Sequence, residues 1–160
     1  MKTRSLLFAM LLALTVLSAQ ADVDRKVPVV HDFAALAQDA GGRGLPILLV
    51  VSQTECGYCE RLKSDLLEPM RISGDYDSKV IIRELNIDAG ETVADFAGLR
   101  RSAQDMASDY RAWVTPTLLF LDPQGKQIAD RIRGYNTPDL FPGYVDNAID
   151  EAGKVLRAAK

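Results

Sequence analysis

Metal-binding side chains are scarce in this sequence. Its 160 residues include two cysteines, Cys56 and Cys59, and one histidine, His31. A closed zinc site takes four ligands, so here it would have to recruit carboxylates or a second chain. Covalent haem attachment needs a histidine directly after the second cysteine, and Glu60 stands at that position. Copper chaperones usually have methionine where Thr54 lies, yet a bare dithiolate can hold Cu(I), so a copper carrier stays open. We expect no resident metal and no cofactor.

The apolar run near the start of the chain, residues 6–17, falls short of the about 20 residues that a bilayer-spanning helix needs. It follows a basic start and precedes Ala19-Gln20-Ala21, which is the order of a secretory signal. We therefore expect a signal peptide over residues 1–21 and one mature domain over residues 22–160, with an uncleaved membrane anchor as the alternative. The mature protein is then exported, periplasmic in a bacterium, with no stable membrane insertion.

Positive charge is not in excess. The formal net charge is −3 at pH 7, and loss of Lys2 and Arg4 with the signal peptide would make it −5. Nucleic-acid-binding proteins carry basic patches or stripes, so nucleic acid is not expected as a partner.

The two cysteines are poorly placed for a structural staple. A disulfide stabilises mainly by closing a long loop, and only two residues separate Cys56 from Cys59. A chain of this size with 48% apolar composition can also build a core without a disulfide. An inert staple stays open, but chemistry explains the pair better.

The position of the pair favours nucleophilic chemistry. It follows the apolar run Ile47–Val51, which has the pattern of a strand buried on both faces, and a helical stretch comes after it. A cysteine in the first turn of a helix faces unpaired N–H groups and the positive end of the helix dipole. We therefore expect a lowered pKa for Cys56, the attacking nucleophile, with Cys59 as the resolving thiol.

Periodicity and turn signals predict the element order α, β, α, β, α, β, β, α. Gly41-Gly42-Arg43-Gly44 is expected to end the first helix, and Pro69 together with the turn-rich Ser73-Gly74-Asp75 is expected to end the second. The order combines a parallel crossover with an antiparallel hairpin, which predicts an α/β sandwich with a mixed sheet. Helices are predicted at 31–40, from the cysteine pair to about 70, at 91–111 with a break near 98, and after a cap at Thr137-Pro138-Asp139; strands are predicted at 47–51, 80–88, 117–121 and 126–133, and residues 22–29 form an arm or edge strand.

The chain resembles the thioredoxin superfamily along most of its predicted mature length. Pro46–Cys59 looks like that family's strand, active site and helix, and Leu85–Asp88 looks like the next strand. Val114–Phe120 resembles the segment with the family's cis-proline, and Arg131–Gly134 resembles its last strand. The resemblance implies a thioredoxin-like three-layer α/β sandwich with a mixed central sheet, and a thiol–disulfide oxidoreductase that uses Cys56 and Cys59.

The resemblance also implies roles around the pair. Gly57 and Tyr58 form the active-site loop, Thr115–Pro116 is expected to be cis, and the Thr115 backbone would pair with a substrate segment. Cys-Gly-Tyr-Cys is similar to the active site of periplasmic disulfide isomerases, but the chain has no room for their dimerisation domain. We therefore favour reduction or isomerisation of disulfides in exported proteins, with electrons from a membrane or soluble donor. The alternative is a redox-silent binding module, either a copper carrier or a chaperone.

Some positions depart from thioredoxin. Its buried acid corresponds to Val50 here and its neighbouring lysine to Glu84. We expect Glu84 to point to solvent or pair with an arginine; the alternative is that it replaces the missing proton acceptor. Glu55, next to the nucleophile, should disfavour the thiolate and so modulate its pKa. Trp113 is expected to pack in the core and His31 to lie on the surface.

Overall fold

The computed structural model describes residues 25–88, 90 and 92–159. The predicted signal peptide and its cleavage site lie outside the described residues. No helix in the described part of the chain is long and apolar enough to cross a membrane.

A four-stranded mixed sheet forms the centre of the domain, in the order β2-β1-β5-β6. Strand β1 runs parallel to β2 and antiparallel to β5, and β5 runs antiparallel to β6. Every residue of β1 is buried, because both of its faces are covered. The strands are β1 (Ile47–Ser52), β2 (Ile81–Asn86), β5 (Thr117–Leu121) and β6 (Gln127–Arg133), and these confirm the four predicted strands.

Helices cover both faces of this sheet, which gives three layers. Alternate β1 residues point to opposite sides: Leu48 and Val50 join one apolar cluster, and Leu49 and Val51 join the other. The first cluster packs against α2, α3 and α5, and the second against α1 and α4. The helices are α1 (Phe33–Arg43), α2 (Gly57–Leu62), α3 (Glu68–Ser73), α4 (Ala103–Asp109) and α5 (Phe141–Ala158). The predicted α/β sandwich with a mixed sheet is confirmed.

The first two helical regions run past residues 40 and 70 and end within the predicted turn segments. Gly41 and Gly42 lie inside α1, which ends where the amide of Gly44 bonds back to the carbonyl groups of Ala40 and Gly41. The second region ends at Gly74, as predicted, but Pro69 does not stop it, because a π-helical turn, Lys63–Leu67, joins α2 to α3 ahead of Pro69. Proline has no N–H, so the segment continues past residue 69 without a helical bond from that residue.

The long helix predicted over residues 91–111 is wrong. The segment forms a small hairpin, β3 (Thr92–Ala94) and β4 (Arg100–Ser102), followed by the short helix α4. The Asp95 carboxylate accepts the N–H groups of Ala97 and Leu99, and Gly98 takes φ +80°, a turn conformation that favours glycine.

The last helix begins later than its predicted cap. It starts at Phe141 with Pro142 in its first turn, where the missing N–H costs little. Leu140 occupies the N-cap without a side-chain bond. Thr137 lies before the helix and its carbonyl accepts the N–H groups of Leu140 and Phe141.

Candidate active site

The cysteine pair lies where β1 ends and α2 begins. Cys56 is the N-cap of α2, and its sulfur is bonded to that of Cys59 at 2.05 Å. The Cys59 N–H donates to the Cys56 Sγ over 3.2 Å. Cys59 is fully buried, while Cys56 is half-buried. Cys56 is thus the cysteine that solvent reaches, and its sulfur accepts from the Cys59 N–H, which also donates to the Cys56 carbonyl at 2.9 Å.

A polar network fixes the loop before the pair. The Asp88 carboxylate accepts the amide and the hydroxyl of Thr54, both at 2.8 Å, and Asn86 donates to the same hydroxyl at 3.2 Å. These bonds from Thr54 hold the pKa of Asp88 below its ordinary value. Neither Thr54 nor Asp88 was predicted as a site residue, although Leu85–Asp88 resembles the family segment.

The Thr115–Pro116 segment lies against the same loop. Its peptide bond is cis, and the Thr115 hydroxyl donates to the Gln53 side-chain oxygen over 2.9 Å. The Pro116 carbonyl accepts the N–H of Gly134 at 2.7 Å. Residues that are far apart in the sequence therefore meet beside the cysteine loop.

Trp113 does not pack in the core, contrary to the prediction. It is 73% exposed, and the neighbouring Val114 is 55% exposed. The buried residue at this point is Ala112, and the turn before β5 directs the larger side chain outward. Tyr58, between the cysteines, is 59% exposed. We call Tyr58, Trp113 and Val114 the apolar rim.

Glu84 neither points to solvent nor pairs with an arginine, so the simpler expectation for it is wrong. Its side chain is buried, accepts the Ser52 hydroxyl at 2.5 Å and forms an ion pair with the Lys63 Nζ at 2.9 Å. Lys63 follows Cys59 by four residues on the continuous helical segment, a spacing that places two side chains on one face. The buried carboxylate and its ammonium partner therefore belong to the layer beneath the disulfide.

Lys63 also binds the exposed Glu60 carboxylate at 2.7 Å. Burial lowers the pKa of Lys63, but hydrogen bonds to Glu60 and Glu84 outweigh burial and raise the pKa above its ordinary value. The ammonium is therefore charged at neutral pH and pairs with the carboxylates of both Glu60 and Glu84. A groove of about 400 Å³ brings solvent to this group, between Val27 and Val29 on one side and Glu68 on the other.

The other charged or titratable side chains of this region differ in their exposure and contacts. Glu55 is exposed and forms no ion pair with the described residues. The Arg61 guanidinium lies over the ring of Tyr135, 5.8 Å from its centroid. His31 lies on the surface before α1. Within the described residues, no three His, Cys, Asp or Glu side chains form a group that could hold a metal ion.

Comparisons with known proteins agree with this geometry. A family described as a thioredoxin-like domain matches residues 33–149, so the chain belongs to that family. A thioredoxin-fold protein from Helicobacter pylori shares 26% identity, with 72% of this chain and 81% of that one covered and a TM-score of 0.50. A thioredoxin from Halobacterium salinarum (17% identity, 79% and 93% covered, TM-score 0.54) has the same fold. So does thioredoxin h4 from poplar (21%, 74% and 95%, TM-score 0.50). A search of curated protein sequences finds no match.

The fold, the family and the cysteine pair define a general class. A thioredoxin-like domain with a Cys-x-x-Cys disulfide at the start of a helix has the architecture of a thiol–disulfide oxidoreductase.

Proposed function

We propose that this protein is an exported thiol–disulfide oxidoreductase that reduces or isomerises disulfides in exported proteins. The observation that carries the proposal is the asymmetry of the pair: Cys56 is accessible and caps the helix, whereas Cys59 is buried behind it. The fold leaves one sulfur open to attack a substrate and keeps the other within bonding distance of the first.

The exchange proceeds in two displacements. The Cys56 thiolate attacks one sulfur of a substrate disulfide, which forms a mixed disulfide and releases the other substrate sulfur as a thiolate. Cys59 then loses its proton and attacks the Cys56 sulfur. This step forms the Cys56–Cys59 disulfide seen in the structure and releases the second substrate thiol. Two electrons pass to the substrate, and an external dithiol donor returns them.

Glu84 is our candidate for the group that takes the Cys59 proton. The second displacement needs a base near a buried thiol, and Glu84 is the buried carboxylate of the layer beneath it. The Lys63 ammonium and the Ser52 hydroxyl both donate hydrogen bonds to the Glu84 Oε1, which orients the carboxylate. The groove that Glu84 lines provides water through which the proton can leave.

The apolar rim and Thr115 are our candidates for substrate binding. Exposed apolar surface is typical of interaction sites. Tyr58 lies between the two cysteines, and Trp113 and Val114 directly precede Thr115. The backbone of Thr115 would pair with an extended substrate segment in the manner of an added strand, while the rim contacts apolar side chains of that segment.

The charges near Cys56 support the proposed direction of exchange. Neither Gly57 nor Tyr58 can supply the positive charge that a histidine between the cysteines would give to a thiolate. Glu55, without an ion-pair partner among the described residues, opposes the thiolate further. A less stabilised thiolate gives up its electrons more readily, which favours reduction or isomerisation over oxidation. Export rests on the signal pattern of residues 1–21, and the electron donor would be a membrane or soluble dithiol protein.

A single-turnover assay tests the function. The mature protein is reduced, freed of reductant and mixed with insulin, and free thiols of insulin are counted by mass spectrometry. Wild type should reduce one disulfide per molecule, and Cys56→Ser should reduce none. Cys59→Ser should accumulate a mixed disulfide on Cys56, because it can attack but cannot resolve. Equal inactivity of the wild type and Cys56→Ser would refute the proposal, and a Cu(I) titration would then test the binding-module alternative.

A further inference from the structure

Ser52, the last residue of β1, has a buried hydroxyl beside the Glu84 carboxylate. The residue is fully buried, and its hydroxyl donates to the Glu84 Oε1 over 2.5 Å. A serine hydroxyl has one hydrogen to donate and two lone pairs that accept. Its hydrogen is used on Glu84, and no hydrogen bond from the described residues reaches its lone pairs. The Ser52 oxygen can therefore accept a hydrogen while it donates its own.

Ser52 and Cys59 lie at the same level of the interface between β1 and α2. Strand β1 runs toward the cysteine loop and α2 runs away from it. Val50 and Leu62 belong to the same apolar cluster, so this face of β1 packs against α2. Ser52 is two residues forward of Val50 on the same face of the strand, about 7 Å closer to the loop. Cys59 is almost one turn before Leu62, about 5 Å closer to the loop.

Glu84 lies one step farther from the cysteines than Ser52 does. In the β1–β2 register, Glu84 is opposite Val50, whereas Asn86 is opposite Ser52. The Ser52 hydroxyl therefore reaches back along the sheet to the carboxylate. A proton that travels from Cys59 to Glu84 passes the level of Ser52 on its way.

Neither the groove nor the lysine offers the same path. The groove reaches Glu84, but neither Cys59 nor Ser52 lines it, and both of these residues are fully buried. Lys63 and Ser52 both donate to the Glu84 Oε1. An ammonium has no lone pair that accepts, so Lys63 cannot take a proton from a thiol. Of these two partners of Glu84, only Ser52 can accept a proton on one side and donate one on the other.

We propose that Ser52 relays the proton of Cys59 to Glu84 in the second displacement. The Cys59 thiol gives its proton to the Ser52 oxygen while the Ser52 hydroxyl gives its own proton to the Glu84 carboxylate. Cys59 becomes the thiolate that attacks the Cys56 sulfur, and the Ser52 hydroxyl is regenerated. Glu84 becomes a carboxylic acid, which then loses the proton to water in the groove. The relay rests on the proposed redox function and adds a residue to its second step.

The decay of the mixed disulfide tests the relay. The reduced protein is mixed with an excess of a disulfide-linked peptide, and quenched-flow mass spectrometry follows the mixed disulfide on Cys56. In Ser52→Ala the mixed disulfide should form at the wild-type rate and decay about tenfold or more slowly at pH 7. Ser52→Thr keeps a hydroxyl and should restore most of the decay rate. Ser73→Ala is the control, because the Ser73 hydroxyl donates to a backbone carbonyl at the end of α3.

A proton inventory separates a relay from a hydroxyl that only orients Glu84. The decay rate is measured in mixtures of H₂O and D₂O. In wild type its dependence on the deuterium fraction should curve, because two protons move together, and in Ser52→Ala it should be linear. The wild-type measurement needs no variant, so it decides the question even if Ser52→Ala folds poorly.

Two results would overturn the relay alone. These are a Ser52→Ala variant that clears the mixed disulfide as fast as wild type, and a linear proton inventory in wild type. Failure of the wild type to form a mixed disulfide at all is a different result, because it would overturn the redox function and the relay with it.

Discussion

Glu84 shows what a single side chain contributes beneath the disulfide. The thioredoxin pattern has an acid on β1, where this chain has Val50, and a lysine on β2, where it has Glu84. Val50 and Glu84 are direct neighbours in the β1–β2 register, and the lysine, Lys63, comes from the helical segment that follows Cys59. The acid therefore lies on β2 instead of β1 and the lysine on the helical segment instead of β2, and the two form an ion pair. The sequence could not reveal this, since a helix–strand contact depends on how α2 and the π-helical turn lie over the sheet.

The role of the carboxylate is tested by Glu84→Gln. General-base catalysis contributes about 10² to 10⁴ in rate, so resolution of a preformed mixed disulfide at pH 7 should slow by about tenfold or more. The defect should shrink near pH 9, because Cys59 then ionises without help. Glu68→Gln is the control, because Glu68 lines the same groove without an ion pair to Lys63. Quenched-flow mass spectrometry measures the step, and an equal loss in both variants would argue against Glu84.

The ion pair itself makes a prediction about stability. Lys63→Met leaves a buried carboxylate without its cation, which should cost about 3 kcal/mol at pH 7, measured by urea unfolding. Lys63→Met combined with Glu84→Leu should recover most of this loss, because an apolar pair can replace a buried ion pair. A double variant as unstable as the single one would contradict the pairing.

The pH dependence of that stability has a defined sign. The pKa of Lys63 is raised in the folded state from its ordinary 10.5, so the contribution of the ammonium is complete below the ordinary value. It is lost as the pH rises through the raised value. Relative to the double variant, wild type should therefore hold its stability from pH 7 to 10 and lose it above about pH 10.5. Loss already complete at pH 9 would mean that Lys63 is not held as a cation.

Among the secondary-structure elements, the strands could be predicted and the segment between β2 and β5 could not. A continuous apolar run such as Ile47–Val51 or Thr117–Leu121 buries both of its faces when it lies in a sheet between two helical layers, so its position can be predicted. Residues 91–111 have a mixed pattern in which one side chain, Asp95, organises the turn by accepting N–H groups. Capping of that kind depends on three-dimensional geometry, and periodicity does not detect it. The position of Cys56 and Cys59 at a strand–helix junction was predictable from the pattern, whereas Thr115 and Pro116 were predicted from the resemblance to thioredoxin.

Comparing substitutions at two glycines with almost equal φ angles separates the cost of backbone strain from the cost of a steric contact. Gly98 and Gly125 have φ +80° and +82°, but an added Cβ meets nothing within 4 Å at Gly98 and the Phe96 ring at 2.6 Å at Gly125. Gly98→Ala should cost about 1–2 kcal/mol for the left-handed backbone. Gly125→Ala should cost a further roughly 1–3 kcal/mol, because the ring must move. Urea unfolding measures the loss of stability in each variant. Equal losses would show that the contact at Gly125 relaxes without a cost in free energy.

At the scale of the molecule, the apolar rim is the part of the described surface that adjoins the cysteines and Thr115 in the sequence, and Trp113 is its largest side chain. Trp113→Ala should lower kcat/KM for insulin several-fold and leave the rate with a small aromatic disulfide unchanged. A polypeptide substrate is large enough to contact the cysteines and Trp113 together, whereas a small disulfide is not. Stability should change by less than about 0.5 kcal/mol, since the side chain is exposed. Leu99→Ala, 66% exposed in the β3–β4 turn, is the control. Equal effects on both substrates would exclude a role in protein binding.

The redox potential of the whole domain tests the central claim most directly. The protein is equilibrated with glutathione buffers of graded potential, and the fraction with a Cys56–Cys59 disulfide is read by thiol labelling and mass spectrometry. With Glu55 beside Cys56 and no histidine between the cysteines, we predict a midpoint between about −180 and −270 mV. A midpoint near −120 mV would make the pair an oxidant and contradict the proposed direction. A disulfide that resists reduction below about −300 mV would make it a structural staple and contradict the redox function.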